Sequence, residues 1–371
     1  MVFLGEVSRG RDNNLNLIRM LAAIGVLVSH AWPIALGAAA SEPLEGLLGT
    51  SLGHVSVLVF FVISGFLIPR SFERQPTLAA WLRARFLRLF PGLVVAAVLT
   101  VAVLGPLATT LPLAEYLQRP ETLAYVPRTL SLFAMQRGLP GVFAANPYPV
   151  AINGSLWTLF YEVACYGGVM ALGLAGALRS RWHMGVALGL FLAVWLGLAA
   201  TPLGALAPGR VKLLMSLGLP FAIGTGFYVW RARLPLHPGL ALALVVLTAA
   251  AWGTDLGRLL FVVALCYAVF LLAYLPGGRL HDYNRIGDFS YGTYIYAFPV
   301  QQLTMHLAGP LGPLANIAIA LPATLALAVV SWFWIERPAL ALSGARRRPL
   351  PPRDVAGAVA GGVPRAEHRS G

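Results

Sequence analysis

Runs of about 20 apolar residues recur along almost the whole chain, and they constrain the fold more than any other feature of the sequence. A helix of that length covers the ~30 Å of hydrocarbon in a bilayer. Only 11% of the residues are charged, compared with roughly a quarter in an ordinary soluble domain. The pattern predicts an all-α fold, a polytopic transmembrane helical bundle.

We predict about ten spans in one membrane domain, residues 1–345, followed by an Arg-, Pro- and Gly-rich tail, 346–371, that is disordered and cytoplasmic. The polar segment 111–154 is expected to lie outside and to pack over the outer end of the bundle. The predicted spans are 15–36, 50–68, 91–110, 155–177, 184–201, 212–230, 237–253, 257–275, 287–308 and 313–335.

The distribution of basic residues predicts the orientation of the bundle. A net charge of +13 would suggest nucleic acid in a soluble protein, but here the charges are sorted by loop. If the N-terminus is cytoplasmic, 20 of the 27 basic residues fall in cytoplasmic segments and six in outer segments. Such a bias is typical of membrane proteins. It predicts that both termini are cytoplasmic, that membrane lipid surrounds the chain and that nucleic acid is not a partner.

Arg19 and His30 both lie in the first predicted span, where ionisable side chains are costly and are usually functional. Eleven positions separate them, which puts them about 20° apart around one helix and ~16 Å apart along it. The structural alternative is that Arg19 extends to lipid headgroups and His30 bonds a neighbouring backbone group.

Glu162 in the fourth predicted span lies at the same expected depth as His30, ~10 Å below the outer end of the bundle. A carboxylate at that depth can orient an imidazole and stabilise its charged form, as in a general-base pair. The alternative is a structural ion pair between two helices.

Further polar residues gather at the predicted cytoplasmic end and form a candidate substrate-binding cluster. Its arginines are placed on an interfacial helix that leads into the third span. Arginine clusters clamp phosphates through forked donors, and the alternative is attraction to anionic lipid. The cluster consists of Ser64, Arg83, Arg85, Arg88, Ser290, Tyr291 and Glu336.

Six segments match, in order, the motifs of a known family. They are Arg19 with His30, Phe60 to Ile68, Arg83 to Pro91, Ser155 to Glu162, Ser290 to Tyr294, and Glu336 to Pro338. On these segments the chain resembles the acyltransferase-3 family of bacterial membrane O-acyltransferases over about residues 11–340. It departs from the family at Ala297-Phe298-Pro299, where many members carry His shortly before the Pro.

The resemblance implies a multi-pass protein of the bacterial inner membrane that uses acyl-CoA, often acetyl-CoA, as co-substrate and binds no resident cofactor. It implies a hydroxyl acceptor on a polysaccharide, a lipid-linked sugar or a similar molecule. Arg19, His30 and Glu162 would form the catalytic site. His30 would take the proton of the acceptor hydroxyl, and the arginine cluster would bind the donor.

Two other classes of function remain open at this point. A transporter or flippase for an anionic lipid or sugar would also place ionisable residues in its spans. A membrane scaffold is the third possibility. Consumption of a thioester separates the enzyme from the transporter, and sensitivity to loss of His30 separates it from the scaffold.

Overall fold

The computed structural model describes residues 2–10 and 12–344, except for the side chain of Leu203; the predicted disordered tail, 346–371, lies outside the described residues. Ten longer helices account for most of the described chain. They are α1 (Leu15–Leu36), α2 (Leu52–Arg74), α3 (Leu78–Leu99), α4 (Thr158–Leu174), α5 (Arg181–Ala200), α6 (Gly209–Trp230), α7 (Pro238–Ala250), α8 (Asp255–Tyr274), α9 (Ser290–Ala308) and α10 (Pro313–Ser331).

Shorter elements connect the ten helices. Two strands, β1 (Val2–Phe3) and β2 (Pro235–Leu236), pair antiparallel. Single helical turns of the 3₁₀ type are Ala177–Arg179, Arg231–Arg233 and Gly278–Asp282, and π-helical turns are Thr100–Leu104 and Trp332–Glu336. Short α-helices are Leu4–Val7, Glu45–Leu48, Gly105–Ala108, Leu113–Gln118, Pro120–Leu130, Leu203–Leu206, Tyr283–Ile286 and Arg337–Ala341.

Each predicted span overlaps one of the ten helices. The helices differ, however, in whether they are long and apolar enough to cross a bilayer. Within the described residues, seven helical stretches are long and apolar enough to do so. The other three predicted spans are α4 and α7, which are shorter, and α9, whose buried face carries Ser, Thr, Tyr and Gln side chains. The chain is a multi-pass membrane protein, while the number ten remains a prediction.

The helices pack around α1, α2 and α9, which hold several of the predicted site residues. Helix α9 packs against α1 and α10, α1 packs against α2, and α2 packs against α6. A Cβ atom on Gly65 would lie 2.2 Å from the Phe221 carbonyl oxygen, and one on Gly224 would lie 2.5 Å from the Val62 carbonyl oxygen. These two glycines therefore let the backbones of α2 and α6 approach closely, as small residues do in membrane bundles.

Contacts among connecting segments define one end of the bundle, which we call the basic end. There β1 pairs with β2, and an Arg70 Nη donates to the Arg9 carbonyl oxygen at 3.2 Å. The Asn14 amide donates to the Pro276 carbonyl oxygen at 2.8 Å. The predicted cytoplasmic segments thus meet at a common end, and which side of a membrane that end faces remains a prediction.

The segment 111–154 packs on the opposite end, which we call the loop end. The Asn146 amide donates to the Gln302 carbonyl oxygen at 2.9 Å and so ties the segment to α9. Tyr116 and Tyr125 are buried in an apolar cluster that includes Phe143 and the end of α3. The expectation that this segment packs over one end of the bundle is confirmed.

The arginine-rich stretch that was expected to form an interfacial helix leading into the third span is the first part of one continuous helix with that span. Helix α3 begins at Leu78 and runs through Pro91 without a break. Trp81 is 1% exposed, and its ring meets Phe72 and Tyr166 edge to face. One face of this stretch therefore packs on the bundle, while Leu82 and Phe86 are exposed on another face, and contact of that face with a membrane surface remains a prediction.

Candidate active site

An open vestibule enters the bundle from the basic end. Its volume is about 620 Å³. Arginines from α2 and α3 surround it, so an anion entering from this end meets several guanidinium groups. The residues that define the vestibule are Asn16, Arg70, Arg74, Arg85, Arg88 and Asp288.

Asp288, just before α9, joins two of the predicted arginines. One carboxylate oxygen of Asp288 accepts from Arg19 at 2.5 Å and from Arg88 at 2.6 Å. The other accepts from the Ser290 hydroxyl at 2.5 Å. The three charged side chains are mostly buried, with 19%, 16% and 10% exposure for Arg19, Arg88 and Asp288. A buried carboxylate with two guanidinium partners stays ionised and holds both arginines in place.

A small inner chamber lies deeper in the bundle and shares Arg88 with the vestibule. Its volume is only about 50 Å³, so in this conformation it is a constriction. The Tyr166 hydroxyl donates to Glu162, and the Tyr291 hydroxyl donates to the Leu89 carbonyl oxygen at 2.7 Å. Residues that define the inner chamber are Arg19, Ser64, Arg88, Glu162, Tyr291 and Tyr294.

Tyr294 separates the inner chamber from the next cavity. Its hydroxyl donates to the Ser155 carbonyl oxygen at 2.7 Å and lies 2.6 Å from the Thr158 Oγ1. Val57, Thr158 and Tyr294 line both cavities. The segment Ser155 to Glu162 therefore anchors the partition and also supplies a carboxylate to the inner chamber.

The third cavity, the His30 chamber, lies toward the loop end and has a volume of about 240 Å³. The Nδ1 of His30 is buried and has no hydrogen-bond partner among the described residues. Its ring meets Phe298 edge to face at 5.3 Å. The chamber is defined by His30, Glu42, His54, Ser155, Thr158 and Tyr294.

Direct pairing of His30 with Glu162, expected from their matched depth, is not found in the described part of the chain. Glu162 lies in the inner chamber, on the other side of Tyr294, and its partner is Tyr166. The carboxylate that acts electrostatically on His30 is Glu42. Depth along a helix does not fix which way a side chain points around it, and the two residues point into different chambers.

Comparison with known proteins decides the class of the molecule. A family model described as an acyltransferase domain matches residues 12–333. The chain belongs to the acyltransferase-3 family. The protein is therefore an acyltransferase, which favours the enzyme prediction over the transporter and the scaffold.

Two relatives of this acyltransferase align over most of their lengths. An O-acetyl transferase of Shigella phage Sf6 is 27% identical over 344 residues, which cover 88% of this chain and 96% of the relative. Nodulation protein 10 of Rhizobium leguminosarum bv. viciae is 29% identical over an alignment of 374 positions, gaps included, that covers 91% of this chain and 95% of the relative. No solved structure matches the acyltransferase.

Three residues of the predicted binding cluster differ from the rest in their surroundings. Arg83 is exposed and is not among the described residues that line the vestibule or the inner chamber. Ser290 is fully buried and donates to Asp288, so its hydroxyl is occupied. Glu336 is 2% exposed and accepts from the Ser331 hydroxyl at 2.9 Å.

Asp288 and Glu42 were not predicted as site residues. A signal for Asp288 existed, because arginines buried in a bundle need an anionic partner and Asp288 directly precedes the Ser290 to Tyr294 motif. Glu42 lies in the loop after α1, and the Ser29 hydroxyl donates to it. Its place beside His30 depends on how that loop folds back, and no spacing in the sequence encodes it.

Proposed function

We propose that this acyltransferase moves an acyl group, acetyl in the first instance, from acyl-CoA to a hydroxyl of a sugar or lipid-linked sugar. The observation that carries the proposal is the series of three adjoining cavities, which leads from the arginine-lined vestibule to His30. The name of the phage relative, O-acetyl transferase, supports acetyl as the group and oxygen as the acceptor atom.

The vestibule suits the nucleotide end of the donor. Coenzyme A carries several phosphates, and arginine binds phosphate oxygens through two parallel donors. Arg70, Arg74 and Arg85 line the vestibule, and Arg88 lies where it meets the inner chamber. The phosphates would stay among these arginines while the thin pantetheine arm extends toward Tyr294.

Acyl transfer in the His30 chamber needs a single general base and a single nucleophilic attack on the thioester. The acceptor oxygen attacks the thioester carbonyl carbon, and the hydroxyl proton passes to the imidazole of His30. The C–S bond then breaks, and the departing thiolate takes the proton from the imidazolium, which leaves an ester and free coenzyme A. Glu42 in the same chamber stabilises the transient cation, as an acidic partner does for other catalytic histidines.

The 50 Å³ inner chamber must widen before an acyl arm can pass. Arg19 and Arg88 form part of its wall, and Asp288 holds both. Donor phosphates compete with the Asp288 carboxylate for these arginines. Binding of the donor would therefore loosen the constriction and couple donor arrival to opening of the path.

Thioester consumption tests the proposal. Inside-out membrane vesicles containing the acyltransferase receive acetyl-CoA, and the free thiol is measured together with acetyl groups in the lipid and glycan fractions. Release of thiol matched by acetyl incorporation is expected, and both should disappear with His30→Ala. A transporter would move a solute while consuming no thioester, and that result would overturn the proposal.

A further inference from the structure

A fourth cavity, which we call the side cavity, lies next to the His30 chamber toward the loop end. Its volume is about 390 Å³, within the range of small-molecule sites, about 300–1,000 Å³. His54 lines both the side cavity and the His30 chamber, so the two adjoin. The side cavity is lined by aliphatic residues, among them Leu58, Leu219 and Val262, and by His54, Trp195, Ser216, Trp252, Arg258 and Phe261.

The lining of the side cavity combines flat aromatic faces with hydrogen-bonding groups. Trp195 comes from α5, and Trp252 precedes α8 and meets Phe261 edge to face at 6.2 Å. Arg258 is held by Asp255, with an Nη–Oδ1 distance of 2.9 Å. Tryptophans are common at membrane interfaces, but an interfacial belt does not require two of them to line one half-open cavity together with a histidine and an arginine.

This combination fits a sugar ring better than a lipid chain. A pyranose ring has an apolar C–H face, which stacks on an indole, and a rim of hydroxyl groups, which need hydrogen-bond partners. Arg258 donates and His54 donates or accepts. An alkyl chain in the same place would gain nothing from these polar groups, whereas each hydroxyl bonded to one of them adds to the affinity of a sugar.

Access to His30 points to the same occupant. Acyl transfer needs the acceptor hydroxyl and the thioester together in the His30 chamber, and the proposed donor path fills the vestibule and the inner chamber. An acceptor therefore has to arrive by another opening. The side cavity adjoins the His30 chamber at His54 and lies at the end of the bundle away from the donor.

We propose that the side cavity binds the sugar ring of the acceptor. Trp195 and Trp252 stack on the ring, Arg258 and His54 bond its hydroxyls, and one hydroxyl extends past His54 toward His30. The inference rests on the proposed function in calling this sugar the acceptor. Binding of a sugar to the cavity, however, is measurable without any transfer reaction.

The test uses the full chain in lipid nanodiscs without acyl-CoA. Octyl β-D-glucoside, octyl β-D-galactoside and octyl α-D-mannoside are compared with 1-octanol, which has the same alkyl chain and no ring. Binding is followed by saturation-transfer NMR below micellar concentrations, with empty nanodiscs subtracted. At least one glycoside should bind about tenfold or more tightly than octanol, the affinity that one good polar contact confers.

Variants assign the binding to the cavity. Trp252→Leu keeps apolar bulk but removes the indole face, and Arg258→Ala changes a 70% exposed side chain, whose ion pair at the surface contributes only about 0–1 kcal/mol to folding. Each should abolish the advantage of the glycoside. Trp182→Leu is the matched control, because Trp182 is a 76% exposed tryptophan at the other end of α5.

Two outcomes overturn the inference. One is that octanol binds as tightly as every glycoside, which would show a cavity for apolar tails. The other is that Trp252→Leu and Arg258→Ala both bind like the wild type. Failure of the proposed function looks different: glycoside binding would be intact while acetyl-CoA is not consumed. Normal consumption of acetyl-CoA with no glycoside binding would sink the side-cavity inference alone.

Discussion

Two buried arginines converge on Asp288, and this junction sets the electrostatics at the entrance to the inner chamber. Arg19 and Arg88 come from different helices, yet they share one oxygen of the same carboxylate. Removal of one partner from a buried ion pair leaves the remaining charges uncompensated and is strongly destabilising. The junction is therefore structural, and in the proposed function it also controls the constriction.

We predict that Asp288→Asn, which keeps the shape and removes the charge, destabilises the protein by about 3–5 kcal/mol. The measurement is thermal unfolding in detergent. Asp282→Asn is the control, since its ion pair with Arg285 is exposed and such pairs contribute about 0–1 kcal/mol. If the two variants unfolded at the same temperature, the junction of Arg19, Arg88 and Asp288 would contribute no more to stability than an exposed ion pair.

A second residue-scale prediction concerns the acidic partner of His30. Glu42→Gln should slow acyl transfer roughly tenfold, about 1.4 kcal/mol in the barrier, and should have little further effect on a His30→Ala background, because paired catalytic groups act as a unit. Glu162→Gln should slow transfer by the same factor in the wild-type protein and in the His30→Ala variant. Rates are measured in membranes and normalised to inserted protein. If instead Glu162→Gln had little further effect on the His30→Ala background, while Glu42→Gln slowed transfer equally on both backgrounds, Glu162 would be the partner of His30.

At this scale the sequence predicted which residues line the chambers better than how they pair with one another. Ionisable groups are so costly in a membrane that their presence alone marked Arg19, His30 and Glu162. All three line the connected chambers. Their partners could not be predicted, because Asp288 and Glu42 come from connecting segments whose positions depend on the packing of several helices.

Helix α3 shows how one element serves two environments. Its first turns line the vestibule with Arg85 and Arg88, and its middle lies against α9, where the Tyr291 ring contacts Gly92. A side-chain carbon on Gly92 would lie 2.9 Å from the Tyr291 Cε1. The family segment from Arg83 to Pro91 therefore ends beside a residue that must be small.

The element-scale prediction compares two arginines on α3. Arg85→Ala should raise the KM for acetyl-CoA about tenfold or more, with a smaller change in kcat, because a bond to phosphate is equally present in the ground and transition states. Arg83→Ala should leave both constants unchanged, since Arg83 is exposed outside the vestibule. Equal effects of the two substitutions, or weakened membrane association alone, would favour the lipid-contact alternative.

The elements themselves were largely predictable, because hydrophobic length is read directly from the sequence. All ten predicted spans coincide with helices. The start of α3 was not predictable in this way: an amphipathic stretch with arginines suits a lipid surface and a bundle surface equally well. The packing of Trp81 shows that one face of the stretch meets the bundle, and the exposed Leu82 and Phe86 leave the other face available to a lipid surface.

On the scale of the whole molecule, the proposed function assigns the donor to the basic end and the acceptor to the loop end. This division requires the basic end to face the cytoplasm, where acyl-CoA is made. We predict that reporter fusions after residues 75, 180 and 282 report the cytoplasm and that fusions after 45, 130 and 205 report the outside. A fusion after residue 75 that reported the outside would reverse the bundle and leave the donor without access to the vestibule.

Acyl transfer by the His30→Ala variant tests the proposed chemistry most directly. Membranes with equal amounts of inserted protein receive labelled acetyl-CoA, and label in the lipid and glycan fractions is counted over time. A positioned general base contributes about 10² to 10⁴ in rate, so His30→Ala should lose at least ~100-fold. His183→Ala, which changes an exposed histidine at the start of α5, should transfer normally. Near-normal transfer by His30→Ala would contradict a reaction at this chamber.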